Sequence, residues 1–326
     1  MKICIYGAGA IGGYLGAELA AAGYDVTLIA RGPHLAAMRA NGLTLEIGGE
    51  RKTVQVRCTD DPAEAGPQNY VIVTLKAHSV FPIVDQMGPL LGPDTAVVTA
   101  QNGLLWWYFY GLPGALENHR LEIADPGGRI WDTIGPERAI GCVVYPSCEI
   151  AAPGVVKHLE GNRFMLGEPN GSKSERVRAL GEALTRAGFK APVRKRIRDD
   201  IWFKLLGNAS FNPVSVLTGA TLEAMGTDAN VRGVIHQIMT EATAVATELG
   251  VRFAMDIDQR IAGAVAVGAH KTSMLQDLEA GRPLELDALV ATVTELGRLV
   301  KVPTPTIDLV LSLARLRAAT ALDALN

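Results

Sequence analysis

The chain opens Met1-Lys2-Ile3-Cys4-Ile5-Tyr6-Gly7-Ala8-Gly9-Ala10-Ile11-Gly12, and this stretch decides the fold. Residues 3–6 read as a buried strand. Residues 10–22 read as a helix of small residues, closed by Gly23 at its C-cap. Between them Gly7, Gly9 and Gly12 fall in a G-x-G-x-x-G turn. The first glycine permits a tight turn, the second lets backbone approach a pyrophosphate, and the third lets the helix lie close to the sheet. The helix N-terminus adds amides and a positive dipole end. An isolated match of this kind is weak, but between an apolar strand and an alanine-rich helix it is specific. Gly7, Ala8, Gly9, Ala10, Ile11 and Gly12 are therefore expected to line a dinucleotide.

The next strand, over residues 26–30, decides which dinucleotide. A carboxylate at its end would bond a ribose 2′-hydroxyl. Here the strand runs Leu28-Ile29-Ala30-Arg31, with no acid and an arginine at its tip. A guanidinium grips a 2′-phosphate through parallel charge-assisted bonds, so the expected cofactor is NADP(H), with Arg31 on the phosphate.

Moving outward, a short helix is expected around residues 34–40 and a hairpin over 43–47 and 53–56 around Gly48-Gly49. Further buried strands are expected at 71–75 and 96–99. Residues 106–134 break the rhythm with Trp106-Trp107-Tyr108-Phe109-Tyr110 and a long tail rich in glycine and proline. A segment of that length is usually a lid or a contact surface. The aromatic run can wall a large pocket, form a dimer contact, or simply anchor the loop. Strand-like segments return at 140–145, 154–158 and 164–166, and a helix is expected over 175–187. Beyond about residue 197 the pattern is almost wholly helical, longest over 231–249 and continuing at 286–300 and 306–318. The fold class is thus α/β: a Rossmann-type dinucleotide-binding domain over 1–192, with an aromatic-rich insertion at 106–134, then an all-helical domain over 193–326.

Composition narrows the functional classes. Basic and acidic residues number 31 and 34, a formal charge of -3, which leaves no electrostatic footprint for nucleic acid or an anionic membrane. Cys4, Cys58, Cys142 and Cys148 form no CxxC pair and no zinc spacing, and no metal is expected. No apolar run approaches a membrane span. A soluble, cytoplasmic protein is expected.

Five further segments carry chemistry. Val73-Thr74-Leu75-Lys76-Ala77 and Gln101-Asn102-Gly103 place Lys76 and Asn102 just past the carboxyl ends of strands, where open α/β sheets bind ligands. The helical half opens with Trp202-Phe203-Lys204-Leu205-Leu206-Gly207-Asn208-Ala209-Ser210-Phe211-Asn212-Pro213. On a helix Lys204, Asn208 and Asn212 fall at i, i+4 and i+8 and make one polar stripe. Pro213 disfavours helical geometry at Asn212, so the helix is expected to end there. Later come Ser273-Met274-Leu275-Gln276-Asp277 and Gly281-Arg282-Pro283-Leu284-Glu285-Leu286-Asp287. A helix starting at Pro283 would put Glu285 in its first turn, where a carboxylate complements the dipole.

Taken together and in this order, these motifs resemble the ketopantoate reductase (2-dehydropantoate 2-reductase) family over nearly the whole chain. The resemblance implies a Rossmann domain joined to a helical domain, with substrate in the cleft between them and NADPH reducing a 2-oxo acid to pantoate, a coenzyme A precursor. It implies that Lys204 is the general acid and that Asn208, Asn212 and Ser273 contact substrate. Asn102 would meet both nicotinamide ribose and substrate, Lys76 would lie beside the cofactor, and Glu285 would contact cofactor and position the active site. Asp277 and Arg282 belong to the same signature and read as structural supports.

The chain departs from the family pattern in two places. Leu217-Thr218-Gly219-Ala220-Thr221-Leu222 holds no further substrate asparagine, and the 106–134 segment is extra. The alternatives are therefore an NADPH-dependent reductase of another 2-oxo acid or ketone, or a non-catalytic NADP(H) sensor. His158 and the cluster Arg194-Lys195-Arg196 with Arg198 read as structural and solvated respectively. The long helices of the second half are compatible with a homodimer.

Overall fold

A computed structural model describes residues 1–323, and its chain divides into two compact units. Unit 1 holds Met1–Arg120 and Gly127–Ile197, while unit 2 holds Leu121–Pro126 and the chain from Arg198 onward.

Unit 1 begins β1 (Lys2–Tyr6), α1 (Ala10–Ala21), β2 (Asp25–Ile29), α2 (Gly32–Asn41). The expected hairpin forms as β3 (Leu43–Ile47) and β4 (Glu50–Val54), with Leu43 opposite Val54. Then come β5 (Arg57–Thr59), α3 (Pro62–Ala65), β6 (Gln68–Val73) and β7 (Leu91–Thr99). After the aromatic segment and α4 (Arg129–Ile134), the unit closes with β8 (Ala139–Val144), β9 (Ser147–Ala152), β10 (Val155–Glu160), β11 (Phe164–Gly167) and α5 (Glu175–Arg186).

The main sheet has the order β11-β8-β7-β6-β1-β2-β5, and all but β11 run parallel. Read from β5 to β8 this is the Rossmann order, whose strand sequence reverses between β1 and β6. The glycine-rich turn follows β1 and Lys76 follows β6, so both sit at the switch point.

A second sheet, β4-β3-β10-β9, was not apparent from the sequence. It explains the composition of α1, which packs against both sheets and so has no polar face. A methyl group on Gly16 would strike Leu28 of the main sheet, and one on Gly13 would meet Val156 of the second.

The aromatic run is core. Trp106, Trp107, Tyr108 and Phe109 are all buried, and the Trp107 indole N–H donates to the Thr99 hydroxyl at 2.8 Å. Of the three readings of this run, the anchor is the one whose contacts are seen. Its tail then leaves unit 1. The Glu295 carboxylate accepts from the Glu122 and Ile123 amides at 2.7 and 3.1 Å, which holds residues 121–126 in unit 2.

Unit 2 is helical: α6 (Ile197–Thr218), α7 (Leu222–Thr227), α8 (Ala229–Glu248), α9 (Ile257–Val265), α10 (Ser273–Glu279), α11 (Thr292–Leu299) and α12 (Pro305–Asp323). Buried Glu241 of α8 accepts from the Thr306 and Ile307 amides and so caps α12 from a neighbouring helix.

Two expectations are corrected here. First, α6 does not stop at Asn212 but runs through Pro213 to Thr218. A helix-interior proline costs about 3 kcal/mol. Val214 and Val216 beyond it are 4% and 2% exposed, and each such burial contributes about 1.5–3 kcal/mol, so continuing the helix wins. Second, no helix begins at Pro283. Residues 282–284 are non-helical, and Glu285 stands immediately before a helical segment whose first part, Asp287–Ala291, is a π turn. Pro283 suits a first helical position, but the Arg282 amide and Nε are tied back to Asp277 of α10 at 2.8 and 2.9 Å, which holds this stretch to the turn that closes α10.

Candidate functional site

The glycine-rich turn of unit 1 is made of backbone. Gly7 has φ +101°, a conformation open to glycine, and the Thr74 hydroxyl donates to its carbonyl at 2.6 Å. The Gly7 and Ala8 amides both donate to the Ile29 carbonyl at 3.1 and 2.8 Å, and the Gly9 amide turns back to Gly7. Gly9 is the N-cap of α1 and no side chain caps this helix, so the Ala10 and Ile11 amides of the first turn lie at a helix end open to an anion. A methyl on Gly12 would collide with the Gly7 carbonyl and with the Thr74 hydroxyl, whereas one on Gly9 would meet almost nothing. The turn is therefore tight at Gly12 and roomy at Gly9, and this cradle fits a pyrophosphate.

Arg31 is exposed and is itself the N-cap of α2, which also lacks a side-chain cap. A cationic side chain and an uncapped helix N-terminus thus share one place, and both favour a phosphate. Lys76 is half-buried after β6, and Asn102 is half-buried after β7. Sequence reasoning missed the residue that joins their two loops: the Gln101 side-chain amide donates to the Leu75 carbonyl at 2.8 Å.

The expected substrate residues of unit 2 stand on α6. Lys204 and Asn208 are half-buried and Asn212 is 5% exposed. Trp202, Leu205, Leu206, Ala209 and Phe211 are buried around the same helix and fix its rotation. The Asn212 side-chain nitrogen, Nδ2, is buried with no hydrogen-bond partner. Ser273 is exposed at the first position of α10, and Glu285 is 6% exposed.

A relay of hydroxyls joins α6 to α10. Ser215 Oγ donates to the Asn212 carbonyl at 2.7 Å, which uses its one proton. At 2.6 Å from it, Thr272 Oγ1 must then be the donor to Ser215, while accepting the Leu275 amide as the N-cap of α10. The relay links the backbone of Asn212 to the turn before Ser273. Only its last step, a threonine before an amphipathic run, has a sequence signature.

The remaining candidates have structural partners. Arg282 Nε donates to buried Asp277 at 2.9 Å, the supporting pair expected. His158 bonds the Gly161 carbonyl and packs against Tyr14 with the rings tilted, and Arg194, Lys195 and Arg196 are exposed. Burial pushes the Cys4 and Cys148 thiols up to about 12, which keeps both in the unreactive thiol form. Among the described residues, no group of three His, Cys, Asp or Glu side chains could hold a metal ion, and no helix is long and apolar enough to cross a membrane.

Comparison with known proteins bears on the whole chain. The family model Ketopantoate reductase PanE/ApbA matches residues 3–171, and its C-terminal counterpart matches residues 196–318. A 2-dehydropantoate 2-reductase of Mesorhizobium japonicum is 58% identical over 316 residues, 97% of each chain. The crystal structure of a candidate ketopantoate reductase from Ralstonia solanacearum superposes with TM-score 0.93 at 45% identity, covering 98% of each chain. A dimeric ketopantoate reductase from Staphylococcus aureus shares the fold at TM-score 0.76 and 20% identity, covering 98% of this chain and all of its own. The Rossmann turn, the lysine-asparagine helix and these matches lead to one assignment: the chain belongs to the ketopantoate reductase family.

Proposed function

We propose that this chain reduces 2-dehydropantoate to pantoate with NADPH, using Lys204 as general acid. The observation that carries the site assignment is the buried, unbonded Asn212 amide on the helix that bears Lys204 and Asn208. Leaving such a donor unsatisfied costs roughly 1–3 kcal/mol, a cost that a ligand oxygen removes. A carboxylate or carbonyl oxygen of a small 2-oxo acid is an acceptor of the right kind.

When bound, NADPH supplies the hydride that adds to the carbonyl carbon. The Lys204 ammonium stabilises the charge growing on the carbonyl oxygen, gives it a proton to complete the alcohol, and regains a proton from solvent. Asn208, Asn212 and Ser273 orient the substrate. Asn102 serves substrate and nicotinamide ribose together. Lys76 lies along the cofactor, Arg31 binds the 2′-phosphate, and Glu285 steadies the reacting groups. In this reading residues 1–192 serve the cofactor, residues 193–326 serve substrate and dimer formation, and the chain works as a homodimer. The four thiols are unbridged, which fits a reducing cytoplasm.

Purified protein with NADPH should oxidise the cofactor fastest with 2-dehydropantoate in a panel of 2-oxo acids and ketones. A faster rate with another member transfers the assignment to that substrate. Cofactor binding with no turnover of any member would leave only a sensor.

A further inference from the structure

The residues proposed above to hold the substrate bring a single positive charge, on Lys204, and the carbonyl oxygen takes it. Asn208, Asn212 and Ser273 are neutral. A 2-oxo acid also carries a carboxylate bonded directly to the carbonyl carbon. Withdrawn from water, that anion needs a partner for its charge.

Unit 2 places a second cation beside Lys204. Arg260, in the first turns of α9, lays its guanidinium on α6 at Gly207. A methyl group on Gly207 would meet Arg260 Nη2, Cζ and Nε before any other atom, with Cζ at 2.9 Å. A mid-helix glycine is unfavourable relative to alanine, and the notch it leaves here is filled by this guanidinium. Arg260 Nε donates to the Phe203 carbonyl at 3.4 Å, and Cζ stands 5.3 Å from the centre of the Phe203 ring. Lys204 precedes Gly207 by three residues, a spacing that puts their Cβ positions about 5–6 Å apart on one helix. The guanidinium carbon therefore lies within roughly 9 Å of Lys204 Cβ.

The position is both fixed and reachable. A capping box of Asp256 and Gln259 closes the N-terminus of α9 one residue before Arg260. Arg260 is half-buried and lines a cavity of about 480 Å³ within unit 2, together with Phe203, Leu206 and Phe253. The two acids of this cavity have other partners. Asp256 accepts the Gln259 amide at 2.7 Å, and Asp258 accepts Arg232 at 2.7 Å. A small anion thus has room to approach the guanidinium.

We infer that Arg260 binds the carboxylate of the oxo acid and selects 2-oxo acids over neutral ketones. Its planar fork presents parallel N–H donors that match a carboxylate, while Lys204 gives its proton to the adjacent carbonyl oxygen. The two roles are not interchangeable, because a guanidinium does not release its proton in a protein. The assignment rests on the proposed reduction of a 2-oxo acid with Lys204 as its acid.

Steady-state kinetics with NADPH test it, comparing 2-dehydropantoate, or the 2-oxo acid that replaces it in the panel, with the corresponding neutral amide. The amide keeps the carbonyl and lacks the carboxylate, so the unsubstituted chain should prefer the acid. Arg260→Gln should raise KM for the acid about 10- to 100-fold, the effect of losing bonds to a charged group, with a smaller change in kcat. KM for the amide and NADPH affinity should stay nearly constant, so the preference collapses. Arg260→Lys, a point charge without the fork, should restore part of it. Gly207→Ala keeps every charge but fills the notch and pushes the guanidinium aside. It should raise KM for the acid selectively while Tm holds or rises, because alanine favours the helix. Equal losses for acid and amide in Arg260→Gln, or a preference that survives it, would make Arg260 a support of α6 and overturn the assignment while the reductase reading stands. No turnover of any 2-oxo acid by the unsubstituted chain overturns both. Should Arg260→Gln fail to fold, Gly207→Ala decides by itself: a selective rise in KM supports the carboxylate role, and an unchanged KM overturns it.

Discussion

The glycine-rich turn of unit 1 and the polar stripe of α6 in unit 2 are opposite ways to build a binding surface. The turn works by lacking side chains. Its Gly7, Ala8 and Gly9 amides are already bonded within the protein, and Gly12 has no room for a methyl group. The stripe works by side chains alone and carries an unmet hydrogen bond at Asn212. A backbone cradle is complete before its ligand arrives, so its tolerance to substitution is set by sterics. A side-chain stripe has to be held in place by neighbours, so it can be weakened from a distance.

The sharpest test of this contrast is Lys204→Ala. The substitution removes the proposed acid and leaves the turn untouched. Turnover should fall by about 10²–10⁴-fold, the range of a general acid, while NADPH affinity measured by fluorescence titration stays nearly constant. A comparable loss of NADPH affinity would show that the two halves are not separable in this way.

Arg31→Ala tests the cofactor region at the side chain proposed to hold the 2′-phosphate. Hydrogen bonds to a charged partner contribute about 1.5–3 kcal/mol, so NADPH should bind about 10- to 100-fold more weakly. NADH, with no 2′-phosphate, should be little affected. Equal losses for both cofactors would remove Arg31 from the phosphate site.

The two regions also differed in how far they could be read from sequence. The turn, α1 and the tip of β2 lie within the first thirty-one residues, where local periodicity and glycine chemistry suffice. The second sheet was missed because its pairing joins Thr44 to Val155, far apart in the chain, and only that pairing explains why α1 lacks a polar face. On α6 the stripe itself was legible from its spacing of four. The continuation past Pro213 was not, because burial of Val214 and Val216 overrides a local preference. Trp106, Trp107, Tyr108 and Phe109 posed a similar difficulty, since a run of aromatics looks alike whether it lines a pocket or fills a core. Their burial, with Trp107 bonded to Thr99, answers it.

The Ser215–Thr272 relay was equally hidden, and it is where the stripe should be vulnerable from a distance. Thr272→Val keeps the shape of the side chain but removes both the proton given to Ser215 and the cap of α10. Stability should fall by about 1 kcal/mol, roughly 2–4 °C in Tm. If the relay positions Asn212 and Ser273, KM for the oxo acid should rise several-fold with a smaller change in kcat, and Thr272→Ser should restore both. A lower Tm with unchanged KM would make the relay a fold support and nothing more.

The smallest expected effect lies beside the turn, and it asks whether the backbone cradle is as independent of side chains as it looks. His34, in the first turn of α2, accepts the Gly154 amide through Nδ1 at 3.0 Å, so its own proton sits on Nε2, which is buried without a partner. Burial holds this imidazole below the ordinary histidine value of 6.5, and the neighbouring Ala8 carbonyl, which pulls the other way, is outweighed. A second proton on Nδ1 would also displace the Gly154 amide. Because the folded state resists a proton that the unfolded chain accepts, the resulting stability is present above pH 6.5 and is lost as the pH falls below it. His34→Gln keeps an acceptor for Gly154 and cannot titrate there. Its Tm should therefore drop less than that of the unsubstituted chain between about pH 8 and about pH 5.5. Equal drops would mean that the ring takes up its second proton without disturbing the fold, and the cradle would then owe nothing to His34.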